Sequence, residues 1–126
     1  MGNESWTSVN IISLDLPAIQ RALDQYVAGL SKRPEVLKVV LFGSMATGRY
    51  APGSDVDILV IITHSPTSFR HRIPDYLPRR FPVDMDVFPY TVEEVRRLRF
   101  PQEALREGRT LWQRSSDETP TASTPL

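Results

Sequence analysis

The stretch that most constrains this chain runs from Leu41 to Val60. An apolar run ends in Gly43-Ser44, a spacer of residues 45–54 follows, and Asp55-Val56-Asp57 opens a second apolar run. Gly-Ser reads as a turn where the backbone can approach a phosphate closely, because glycine has no Cβ to hold the group away. On a strand, Asp55 and Asp57 share one face while Val56 points into the core. Paired carboxylates repel each other, and a bound cation relieves that repulsion. A fold that keeps this stretch sets two strands side by side, with the turn and the acids at one end.

Length and composition narrow what surrounds it. A chain of 126 residues is one domain, long enough to bury a core. Apolar and charged contents of 40% and 24% are those of an ordinary globular protein. The formal net charge is zero, which removes any global basic field for nucleic acid. There is no cysteine, so disulfides, a thiol nucleophile and thiolate metal sites are excluded. His64 and His71 are the only imidazoles, too scattered for a histidine-rich centre, and both are expected at the surface. No apolar run approaches the ~20 residues of a membrane span. Nothing resembles a secretory leader, so a cytoplasmic location is expected.

Residues 1–10 are expected to form a flexible N-terminus, 11–114 the domain, and the Ser-, Thr-, Pro- and acid-rich 115–126 a disordered tail. Asp15 and Pro17 open an amphipathic helix over roughly 16–31, with Leu16, Ile19, Leu23, Tyr26, Val27 and Leu30 at helical spacing and Pro34 beyond its end. Val36–Phe42 and Val56–Thr63 read as buried strands, and 44–50 as a short helix or turn. Residues 69–80 carry a helical face interrupted by Pro74 and Pro78. Pro82–Phe88 alternates, Val83, Met85 and Val87 against Asp84 and Asp86, as a half-buried strand with an acidic face. Thr91 and Glu94 form a capping box for a helix running to about Arg99, whose basic end (Arg96, Arg97, Arg99) reads as a solvated face. A further helix from Pro101 to Glu107 stops at Gly108, read as its C′ residue. Thr110–Trp112 adds a short edge strand. The expected fold class is α+β: a small mixed sheet with helices mainly on one side.

Asp55, Asp57 and a third acid from Asp84 or Asp86 would form a cluster of hard oxygen donors suited to Mg²⁺ or Mn²⁺. Two such ions about 4 Å apart can hold attacking and leaving oxygens around a phosphorus. Gly43 and Ser44 supply the phosphate-binding half. The pattern Gly43-Ser44, residues 45–54, Asp55-Val56-Asp57 resembles the signature of the DNA polymerase β-type nucleotidyltransferase superfamily, and most of residues 20–113 resembles its minimal nucleotidyltransferases.

The resemblance implies that Asp55, Asp57 and Asp86 ligate two Mg²⁺ ions and carry catalysis, with Asp84 as the fallback third ligand. Gly43 and Ser44 would bind the nucleotide phosphates. Where the family often has arginine after Gly-Ser, this chain has Met45 and Thr47, and Arg49 is near enough in sequence to substitute as a nucleotide-binding cation. The reaction implied is attack of a hydroxyl on the α-phosphorus of ATP or another nucleoside triphosphate, transferring AMP and releasing pyrophosphate. Members of the subgroup resemble antitoxins that modify a small helical toxin-type partner protein. Direct nucleic-acid binding and membrane association are not expected, and homo-oligomerisation stays open. Two other readings stand beside this one: a catalytically degenerate subunit that binds a nucleotide or partner, and a phosphodiesterase-like metal hydrolase.

Overall fold

A computed structural model describes residues 15–43, 46 and 56–115. The expected N-terminal segment 1–10, the tail beyond Ser115, and the turn residues Ser44, Met45 and 47–55 lie outside the described residues.

Helix α1 spans Leu16–Ser31, as the apolar spacing predicts. Asp15 caps it by accepting the Ala18 N–H at 3.1 Å, and Pro17 sits in the first turn, where no N–H is needed. Ile19, Leu23 and Leu30 are buried on one stripe. Strand β1, Val36–Phe42, pairs antiparallel with β2, Val56–Ile62. Strand β3, Met85–Thr91, runs parallel to β2, and β4, Arg109–Gln113, pairs antiparallel with β1. The sheet order is β3-β2-β1-β4. The parallel β2–β3 pair needs a crossover, and helix α2, Phe69–Tyr76, lies within it.

The expected α+β mixed sheet is therefore what forms, but its helices cover both faces, not mainly one. One face packs Val39, Leu41, Ile58 and Val60 beneath α1. The other packs Val40, Leu59 and Ile61 against Val92 and Val95 of α3, Val92–Arg97, and Ala104 of α4, Arg99–Glu107. The reason is β2 itself: Ile58 and Val60 face one way, Leu59 and Ile61 the other, and all four are buried.

Several element boundaries depart from the sequence reading by a few residues, and the larger departures have local reasons. Helix α2 stops at Tyr76, short of Arg80, because Pro78 forces Leu77 into an extended conformation at φ −79°, ψ 145°. Strand β3 starts later than Pro82 and continues through Pro89 to Thr91. Pro89 is tolerated because β3 is an edge strand and the Pro89 backbone faces outward, its carbonyl accepting Arg72 Nη1 at 2.9 Å. Gly108 ends α4, yet in an extended conformation (φ −87°, ψ 176°) that any residue adopts. What it requires is space: a Cβ there would lie 2.5 Å from Val40 Cγ1 and 2.8 Å from the Leu41 carbonyl.

The capping box forms as read. Thr91 Oγ1 accepts the Glu94 N–H at 3.2 Å, and Glu94 Oε1 accepts the Thr91 N–H at 2.9 Å. Gln102 Nε2 then donates to the carbonyls of Val95 and Arg96, both at 2.9 Å, closing the end of α3 from within α4.

Candidate active site

The candidate site forms where β1 ends and where β2 and β3 begin. Gly43 follows β1 at φ +80°, a left-handed conformation natural only to glycine. Its carbonyl accepts the Ala46 N–H at 3.1 Å. A Cβ on Gly43 would collide with Asp57 Oδ2, so the turn backbone lies directly against that carboxylate. Glycine is needed here twice, for the backbone angle and for the room it leaves.

Sheet register adds the second acid. Phe42 is the cross-strand partner of Asp57, and Asp57 is the partner of Asp86 on the parallel side. Adjacent strands lie ~4.8 Å apart, and partners in register point to the same face. Asp57 and Asp86 therefore stand side by side, half-buried and exposed respectively. Asp84 precedes β3, and its carbonyl accepts the Val56 N–H at 3.0 Å. Of the acids expected on the later strand, Asp86 is the one in register with Asp57. Asp55, Ser44 and Arg49 lie outside the described residues.

Among the described residues no group of three or more His, Asp or Glu side chains is gathered for a metal. The described pair offers only carboxylate oxygens, with both histidines exposed elsewhere, and His71 Nδ1 lies 2.8 Å from Ser68 Oγ. An oxygen-only donor set at adjacent strands suits a hard divalent cation better than zinc, which favours nitrogen and sulfur donors.

Two features of the assembled structure, an aromatic cluster and a buried arginine, are not singled out in the sequence. Phe42 and Phe88 share the carboxylate face and stand with ring centroids 5.4 Å apart, and Phe100 packs on both at 5.7 and 5.1 Å. Phe100 remains 42% exposed, so the acids border a partly open aromatic surface. Beside Asp86 lies a hollow of about 360 Å³ walled by Ile73, Leu77, Val87 and Phe88. The parity of Phe88 with Asp86 is legible in the sequence, but the meeting with Phe42 requires the strand order.

The other omission is Arg72, whose charge is buried to 4% exposure. It forms a two-point pair with Glu94, Nη1 to Oε1 at 2.7 Å and Nη2 to Oε2 at 3.0 Å, and Nε donates to the Thr67 carbonyl at 2.9 Å. Hydrogen bonds from Arg72 hold the Glu94 carboxyl down at about 2, against the upward push of burial. This pair ties α2 and α3 to the outer edge of β3, and so fixes the strand that carries Asp86.

The glycine turn against one carboxylate, with a second carboxylate in register, brings a phosphate-sized turn and oxygen donors to one end of the sheet. A model of the nucleotidyltransferase domain matches residues 23–111, well over half of the chain, and the protein belongs to that family. A crystal structure of a protein from Sulfolobus solfataricus, provisionally named a nucleotidyltransferase, superposes with a TM-score of 0.57 at 22% identity, covering 82% of this chain and 86% of that one. A toxin–antitoxin structure with AMP-PNP superposes with a TM-score of 0.51 at 22% identity, covering 75% and 76%. At these identities the likeness is one of fold. No curated protein matches the chain.

Proposed function

We propose that this nucleotidyltransferase domain transfers AMP from ATP to a hydroxyl of a partner protein, with divalent metal held by Asp57, Asp86 and Asp55. The observation that carries the reading is the contact of the Gly43 turn with Asp57, which is itself in register with Asp86. A phosphate on the turn stands beside the carboxylates that a transfer needs. When bound, Mg²⁺ would neutralise the charge that develops on the phosphate oxygens. The polypeptide's part begins at Gly43, where backbone and the adjoining Ser44 would bind the phosphates, with Arg49, close by in sequence, as their cation. Asp86, exposed beside an apolar hollow, accepts the proton of the attacking hydroxyl. The acceptor oxygen bonds to the α-phosphorus, the bond from that phosphorus to the bridging oxygen breaks, and pyrophosphate leaves with the electron pair.

The choice of an adenine nucleotide and of a partner protein draws on the neighbour solved as a toxin–antitoxin with AMP-PNP. No helix among the described residues is long and apolar enough to cross a membrane. ATP labelled at the α- or the γ-phosphate, incubated with the protein, Mg²⁺ and a soluble extract as acceptor source, tests the reading. Label from the α position is expected to remain on protein, and label from the γ position to leave as pyrophosphate. Release of free AMP with no labelled protein would favour a hydrolase, and no turnover a binding module.

A further inference from the structure

A second concavity, of about 420 Å³, opens between α1 and the segment that follows α2. Its walls carry three guanidinium groups, Arg33, Arg79 and Arg80, against one carboxylate, Asp75. Arg33 is engaged within the protein: Nε donates to Glu35 Oε2 at 2.9 Å, Nη1 donates to the Asp75 carbonyl at 2.7 Å, and the guanidinium lies 4.2 Å over the Tyr76 ring. Arg79 and Arg80 are exposed, and among the described residues neither forms an ion pair. The groove floor is closed chemically. The Tyr26 hydroxyl donates to the Tyr76 carbonyl at 2.6 Å, and the Tyr76 hydroxyl donates to Glu35 at 2.7 Å. At Gly29 the space where a side chain would stand is open.

Leu77, 43% exposed, borders this groove and also the hollow beside Asp86. One extended segment, advancing ~3.3 Å per residue, can therefore lie across Leu77 with its ends in the two concavities. We propose that the arginine groove receives an acidic polypeptide segment of the acceptor, which places a hydroxyl residue a few positions away beside Asp86. Planar guanidinium groups match carboxylates by two-point hydrogen bonding, and Arg79 and Arg80 have no carboxylate partner among the described residues. A polypeptide suits the groove better than a nucleic acid. Single strands bind by stacking bases on open rings, whereas Arg33 covers the face of Tyr76, and the exposed Leu77 offers aliphatic surface. The placing of the hydroxyl rests on the transferase reading of Asp57 and Asp86, while the docking does not.

The test is fluorescence anisotropy of two labelled peptides with the full chain, without nucleotide. Both contain Tyr and Ser, one flanked by glutamates and the other by lysines. The glutamate peptide is expected to bind at least tenfold more tightly. The double variant Arg79→Glu/Arg80→Glu, its fold verified by circular dichroism, is expected to reverse that preference, and Asp57→Asn to leave it unchanged. Equal affinity for the two peptides, or a preference that survives the charge reversal, overturns the proposal. So does displacement of the glutamate peptide by single-stranded RNA at lower concentration than by unlabelled peptide. With Mg²⁺ and ATP added, the mass of AMP is expected on the glutamate peptide. Selective binding with no transfer would count against the transferase reading alone.

Discussion

At Gly43 a single hydrogen stands where any other residue would put a carbon into the Asp57 carboxylate. Gly43→Ala is expected to strain the φ +80° backbone by ~1–3 kcal/mol and to push Asp57 out of place. Thermal unfolding should show a modest loss of stability and calorimetry a much larger loss of nucleotide affinity. Normal ATP affinity in a destabilised Gly43→Ala protein would separate turn from site. The two acids of the later strand are distinguished in the same way. Asp86 is in register with Asp57, whereas Asp84 precedes the strand. Asp86→Asn is expected to lower turnover by ~10²-fold or more, the usual scale for a positioned acid–base group, and Asp84→Asn to lower it little. Equal losses in steady-state assays would contradict the assignment of the proton acceptor.

Among the elements, β3 depends most on a partner outside the sheet. As an edge strand containing Pro89, it is held on its outer side by Arg72, which also pairs with Glu94 of α3. Leaving either charge buried without its partner costs on the order of 3–5 kcal/mol, so Arg72→Met should lower stability to denaturant by about that much. The pH dependence follows from the folded-state value of Glu94, about 2 against an ordinary 4.5. The folded carboxyl holds its proton less tightly than the unfolded one. Its contribution is therefore complete above about pH 4.5 and is lost as the pH falls toward 2. Denaturant unfolding across that range should show a steeper acid loss in the parent than in Glu94→Gln, and parallel curves would contradict it. At the other end of the helical layer, Gly108→Ala is expected to cost ~1–3 kcal/mol through contact with Val40, with no effect on ATP affinity in calorimetry.

Over the whole molecule, the elements with strong local signals were legible and those set by tertiary context were not. Asp15, Pro17 and the apolar stripe define α1, and Thr91 with Glu94 defines the start of α3, because caps and spacing act within a few residues. The extent of β3 was not legible, since Pro89 ends a strand unless that strand lies at an edge, and strand order is a tertiary fact. The second helical face was missed because the alternation of β2 between two buried faces looks like a single apolar run. Of the candidate site, Gly43 and Asp57 could be read from their spacing, while the register that sets Asp86 beside Asp57, and the Phe42–Phe88–Phe100 surface around them, emerge only from the assembled sheet. Arg72 carried no signal, because a lone arginine on a short helix reads as a solvated one until its partner is known.

If the Gly43 turn and the Asp57–Asp86 pair form one metal-dependent nucleotide site, ATP binding depends on both the ion and Asp57. Isothermal calorimetry of ATP against the protein, with Mg²⁺ and with a chelator, tests it most directly when repeated on Asp57→Asn. Binding is expected to require Mg²⁺ and to weaken at least tenfold in the variant. ATP binding of equal strength in chelator, or unchanged in Asp57→Asn, would contradict it.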